Sequence, residues 1–237
     1  MKRALQAAAL LAGAAGFFLL VRHAGAEKLL EGARTLGFGT VLFIALAGVE
    51  HGLHAWGWQR CFAPGRSPRF GALFEAYLAG YAFALVTPTA SIGGDVLRAS
   101  LVPGGASATE CAAAVTADRL ACSVSDAFVG LVGVVLLFSL APLADWQKAA
   151  LLAATLLFGL GIGGFFAVQR SGRLAGWIAE HPLVSRFGGE RLAERAARAG
   201  AVLDGHLKEL HGERPGAFRS ASLRNLAATL VGAVQIA

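Results

Sequence analysis

Charge is scarce in this chain. Only 15% of its 237 residues are Asp, Glu, Lys or Arg, against about 25% in soluble globular domains. That deficit excludes an ordinary water-facing domain, a charged disordered tail and a soluble nucleic-acid binder. Cysteine is scarce too. Cys61, Cys111 and Cys122 cannot all pair, and eleven residues along one helix would hold the last two roughly 16 Å apart, beyond disulfide reach. A disulfide scaffold is therefore excluded. Seven prolines stand against 31 glycines, a balance typical of membrane helices. No low-complexity linker, no repeat of 20–50 residues, no P-loop and no serine nucleophile elbow is visible. What remains is apolar: 56% hydrophobic residues and a mean hydropathy of +0.60. With a net charge of +6, lipid headgroups are the expected anionic partner rather than nucleic acid.

The apolar residues fall in runs, and a span needs about 20 of them. Ala4 to Val21 follows Met1-Lys2-Arg3 without a charge. It is long for a signal-peptide core and more membrane sequence follows, so it reads as a span. A second run is uncharged from Leu36 to Val49 and reaches spanning length by including Glu50, His51 and His54, ending at Trp56 and Trp58. The third, Phe70 to Val86, carries Glu75, and Ala76, Gly80 and Ala84 recur at four-residue steps, a small-residue face that admits a close helix neighbour. Ala127–Ala144 and Ala149–Val168 follow, joined by a turn near Pro142 and Asp145. Leu223 to Ala237 begins a further run and stops short of a span.

Residues 169–219 hold nine Lys/Arg and six Asp/Glu. Leu192, Ala196, Ala199, Leu203, Leu207 and Leu210 form one apolar stripe there, flanked by Arg191, Arg195 and Arg198. This predicts an amphipathic helix, lying on the membrane surface or against the protein's own bundle. The positive-inside rule places 169–219, the acid-free 57–69 loop (Arg60, Arg66, Arg69) and the N-terminus on the cytoplasmic side. Five spans cannot meet those demands together. One extra crossing within 107–126 repairs the parity and puts Asp145 outside.

The polar stretch Thr87-Pro88-Thr89-Ala90-Ser91-Ile92-Gly93-Gly94-Asp95-Val96-Leu97-Arg98 interrupts the apolar pattern. Pro88 cannot continue a helix, and Gly93-Gly94 frees the backbone to bend or to approach a ligand. Asp95 and Arg98 are spaced to pair on one helical turn. Ser107 and Glu110 form a capping-box pattern, and the helix it opens carries Ala114, Asp118, Cys122 and Asp126 at four-residue steps beside Arg119. A charge at the bilayer centre costs about 2.5–3.5 kcal/mol on insertion scales, so this face should point into protein or a wet cavity. Two readings of 87–106 stay open: a broken or re-entrant helix, and a solvated loop with a surface Asp95–Arg98 pair. Glu50-His51-x-x-His54 has the acid before the first histidine and lacks a third ligand, so no metal is expected. Glu50 and Glu75 are candidate proton-coupling acids.

Pro88, Gly93-Gly94-Asp95, Arg98 and, about twenty residues on, Asp118-Arg119-Leu120 resemble the signature of the lysylphosphatidylglycerol synthase transmembrane region, or flippase-like, family. The Gly-Gly spelling and the preceding tryptophan-bearing segment are most similar to its hopanoid-associated branch. Asp95 and Asp118 stand where that family usually has Glu, which keeps the charge and shortens the reach. The resemblance implies a lipid translocase for a phospholipid or an isoprenoid/hopanoid-type lipid. Pro88, Gly93 and Gly94 would shape the broken helix, Arg98 and Arg119 would engage an anionic headgroup, and Asp95 and Asp118 would pair with them when the site is empty. The competing reading is a non-catalytic membrane half of an aminoacyl-phospholipid synthase-like system, with lipid-biosynthesis enzymes as partners. No cofactor and no catalytic activity are expected. The expected fold is all-α: one domain over 1–237, a polytopic transmembrane helix bundle of about six to seven segments. It has a broken or re-entrant helix, a cytoplasmic or interfacial segment at 169–219 and a last span cut short. The expected location is the bacterial inner membrane, N-terminus cytoplasmic.

Overall fold

The computed structural model describes residues 11, 14–16, 18, 19, 21–87, 91–102, 106–171 and 200–236. Its elements are helices: α1 (Ala26–Leu36), α2 (Phe38–Arg60), α3 (Phe70–Val86), α4 (Ile92–Leu101), α5 (Ala108–Leu140), α6 (Asp145–Ser171), α7 over 200–212, and α8 (Pro215–Ile236). No strand occurs among the described residues. Phe38–Arg60, Ala108–Leu140 and Asp145–Val168 are each long and apolar enough to cross a bilayer. Their outward faces carry large bare side chains such as Phe38, Ile44, Leu156 and Leu160, more apolar surface than water tolerates. The molecule is a polytopic membrane helix bundle.

Long side chains reaching between loops define one end of that bundle. Arg66 pairs with Glu110 at the start of α5, and Arg214, just before α8, donates to the carbonyl of Phe62 at 3.0 Å. Phe166 near the end of α6 packs edge-on against His211 and also meets Phe218. The 61–69 loop, the start of α5, the end of α6 and the α7–α8 turn therefore share this end. The 141–144 turn and the start of α2 lie at the other. On α7, Leu207 and Leu210 are buried in the common core with Trp58, Phe62 and Leu73. The apolar stripe thus packs against the protein over its described part; Leu192, Ala196, Ala199, Arg191, Arg195 and Arg198 lie outside the described residues.

The extra crossing expected within 107–126 is not a separate element. Ser107 caps α5 by accepting from the Glu110 amide while the Glu110 carboxylate accepts from the Ser107 amide. Nothing that follows breaks the helix before Leu140, so one 33-residue helix, about 50 Å long, includes both 107–126 and the run from Ala127. α3 and α4 instead form a hairpin. α3 rises from the charged end for about 25 Å (17 residues), and the 10-residue α4 returns for about 15 Å.

Gly80 and Gly94 make that hairpin possible. A β-carbon on Gly80 would lie 2.6 Å from the Gly94 carbonyl oxygen, and the Ala84 methyl sits 3.0 Å from where a Gly94 β-carbon would be. The Ala76-Gly80-Ala84 face is the close-approach surface its spacing suggested, with α4 as the neighbour. Gly93 and Gly94 do not bend the chain; both lie in the first turn of α4. α3 ends at Val86 and α4 starts at Ile92, after Ser91 in the left-handed region (φ 72°). Pro88 lies outside the described residues.

The hairpin sets two expectations. Gly80→Ala should force the helices apart and cost about 1–3 kcal/mol, seen as a lower unfolding temperature in detergent, whereas Gly133→Ala, which meets nothing within 4 Å, should be neutral. Equal behaviour would refute the close contact. In a Cys122→Ala background with N-in topology, an impermeant thiol reagent applied to spheroplasts should label Asp145→Cys and spare Glu213→Cys. The reverse pattern would invert the orientation.

Candidate functional site

Four charges meet where α4 crosses α5. Asp118 lies ten residues into α5, about 15 Å from its start, and takes a hydrogen bond from Arg98 Nη1 at 3.0 Å. Arg98 Nε is also 3.1 Å from Asp95 on its own helix. Asp95 in turn receives Arg119 through two bonds, Nε at 2.7 Å and Nη2 at 2.6 Å. The side chains form a graded series: Asp118 is 1% exposed, Arg98 3%, Asp95 19% and Arg119 46%. The Asp95–Arg98 pair is thus part of a buried network, which decides against the solvated-loop reading.

The inner pair is tied down further. Asn225 of α8, fully buried, donates Nδ2 to Asp118 at 3.2 Å. Its carbonyl oxygen lies 2.8 Å from His54 Nδ1 on α2. Since the amide nitrogen must face the carboxylate, the oxygen faces the imidazole, and His54 is the donor there. Gly57 leaves the room: a β-carbon on it would stand 3.0 Å from Asn225 Oδ1. The Arg98 guanidinium lies over the Trp58 and Tyr77 rings at 4.9 and 5.7 Å from their centroids, a favourable place for a desolvated cation. Its Nη2 has no hydrogen-bond partner among the described residues.

Beside this network opens a cleft of about 660 Å³. α2 supplies Glu50 and His54, α3 Tyr77 and Tyr81, α4 Ser91, Asp95 and Arg98, α5 Arg119, Cys122 and Asp126, and α8 Thr229 and Gln235. Gly80 and Gly94 also line it. Glu50 accepts from Gln235 at 3.1 Å, and Asp126 from Thr229 at 3.2 Å. Arg119 is the cation that reaches the opening; Arg98 stands behind it. Chemically the cleft can take a polar group at membrane depth, present it with a forked guanidinium and exchange that contact against the Asp95 carboxylate.

Of the residues singled out in the sequence, Gly94, Asp95, Arg98, Asp118, Arg119 and Glu50 converge here. Gly93 is adjacent on α4. Glu75 is exposed on α3 and does not line the cleft. His51 packs against Tyr81 and Tyr77, and among the described residues no three His, Cys, Asp or Glu side chains converge as a metal ligand set. Asn225, Trp58, Tyr77 and His54 as an Asn225 partner were not recognised from sequence. An asparagine in an apolar run was the available signal for the first; the others needed the packing.

The family model for the lysylphosphatidylglycerol synthase TM region matches residues 6–233. The chain belongs to that family. No curated protein and no solved structure matches it significantly. Membership in the lysylphosphatidylglycerol synthase TM region family makes this an integral membrane protein of the flippase-like kind.

The graded burial in this family member separates its two arginines. Arg98→Ala strands Asp118 in the interior, and breaking a buried pair costs about 3–5 kcal/mol. Arg119→Ala, at a half-exposed position, should cost about 1 kcal/mol or less. Thermal unfolding in detergent reads the difference, and equal losses would refute the inner and outer assignment.

Proposed function

We propose that this protein translocates a membrane lipid with a polar headgroup, a phospholipid or an isoprenoid/hopanoid-type lipid, with the cleft as the headgroup site and Arg119 as its principal contact. The observation that carries the reading is the ion-paired network opening on a polar cleft at membrane depth. Charge is kept inside a bilayer where it serves a path or a ligand, and a purely structural bundle gains nothing from a half-exposed arginine held there. Asp95 acts as the resident anion on Arg119, yielding to the lipid headgroup and reclaiming the guanidinium when the lipid leaves. Arg98, fixed by Asp118 and stacked on Trp58, shapes the site and keeps α4 in place. Glu50, on the cleft wall, is the acid placed to exchange a proton with the site; Glu75 is not. The protein acts as a carrier rather than an enzyme, in the inner membrane, with the charge-rich end in the cytoplasm. Its lipid is an anionic phospholipid or, following the Gly-Gly spelling of the α4 motif, a hopanoid-type lipid.

Headgroup-resolved flipping in proteoliposomes tests this, with phosphatidylglycerol and a polar hopanoid in separate vesicles. The wild-type protein should accelerate leaflet exchange of at least one lipid. Arg119→Gln, which leaves Asp95 its contact with Arg98, should slow exchange about tenfold or more while the unfolding temperature is kept, the loss expected for one charge-assisted contact. Exchange no faster than in protein-free vesicles for both lipids would overturn the translocase reading.

A further inference from the structure

A second cavity, about 410 Å³, lies at the charged end of the bundle. It shares no lining residue with the cleft. Phe62, Ala63 and Pro64 of the loop after α2 and Ala217 of α8 form its apolar wall, and its charged residues are Arg60 and Arg214. No acid lines it. Among the described residues the Arg214 side chain makes one hydrogen bond, to the neutral carbonyl of Phe62 at 3.0 Å, and neither arginine has an ion pair. The neighbouring Arg66 differs, being paired to Glu110.

The backbone adds to the same sign of charge. α8 begins at Pro215, immediately after Arg214, and its first turn contains no acid. The Ala217 amide is taken by the Arg214 carbonyl at 2.9 Å, so the helix contributes its dipole and the Gly216 amide rather than a full set of free N–H groups. Two arginines without an ion pair among the described residues and a helix start free of acid face one concavity. The apolar wall of Phe62, Ala63 and Pro64 gives the rest of an ester-linked ligand somewhere to lie.

We infer that this cavity binds a phosphate group at headgroup depth, carried by an anionic lipid or free in solution, at the end of the bundle opposite the 141–144 turn. The site is separate from the cleft and does not depend on the transport reading. Arg60 is its deciding residue. It is exposed and its side chain makes no hydrogen bond among the described residues, so its replacement leaves the fold intact, whereas Arg214 also holds the 61–69 loop.

The test uses the full chain carrying Arg119→Gln, so that the cleft contributes little. Phosphatidylglycerol binding is read by native mass spectrometry against diacylglycerol, which lacks the phosphate, and inorganic phosphate by phosphorus NMR line broadening. Adding Arg60→Gln should weaken binding about fivefold, the worth of one basic residue near an anionic headgroup; adding Arg69→Gln, outside the cavity, should not. Arg60-dependent binding of phosphatidylglycerol alone supports a lipid headgroup, of inorganic phosphate alone a free anion, and of both a site for the phosphate itself. Binding of neither probe, or equal losses from Arg60→Gln and Arg69→Gln, overturns the proposal. Such a failure leaves the translocase reading intact, because the flipping assay alters no residue of this cavity.

Discussion

Compensation of charge in a low-dielectric interior is the constraint on which the rest of this architecture depends. Four ionic side chains sit between apolar helices, where an unpaired one costs several kcal/mol, and each is matched within about one hydrogen-bond length. The match dictates positions. α4 is only 10 residues long and spans nothing, yet it is held at depth because Asp95 and Arg98 have their partners on α5. α8 is drawn to the same point by Asn225, and α2 by His54 through Asn225. Removing the pairs would leave α4 held only by its apolar and glycine packing on α3.

The sequence discloses most of the membrane architecture because lipid imposes length and apolarity on any span, and both are visible residue by residue. The Ser107–Glu110 cap and the Ala76-Gly80-Ala84 face are local patterns, and both behave as their spacing requires. Pairing across elements is less legible. Asp118 and Arg119 interrupt the hydropathy of one long helix, so α5 looked like two crossings; the partners that let it continue lie 20 to 24 residues earlier. Gly93-Gly94 looked like the break in the chain, whereas Gly94 proves to be the contact with α3, since a glycine serves flexibility and close approach equally well in sequence. Asn225 was hidden by distance: its partner is 107 residues away. The amphipathic α1, with Glu27, Lys28 and Glu31 in an 11-residue helix, was lost beside the longer apolar runs on either side.

The cleft is not a simple basic pocket. Glu50, Asp95 and Asp126 line it against Arg98 and Arg119, so any anion that reaches Arg119 competes with an intramolecular carboxylate already making two short bonds. That competition sets a floor on the strength of an acceptable ligand. It also keeps the arginine oriented when nothing is bound, lowering the ordering cost that a long free side chain would otherwise impose on binding.

The hairpin of α3 and α4 also bears on how the chain is made. A nascent membrane protein enters the bilayer from its N-terminal end, so α4 emerges before α5. Asp95 and Arg98 can pair with each other within α4 from the start, but Asp118 and Arg119 reach them only when α5 follows, and Asp118 acquires its amide partner only when α8 arrives. The network is therefore completed from the C-terminal side, and the short charged helix gains its full set of partners last.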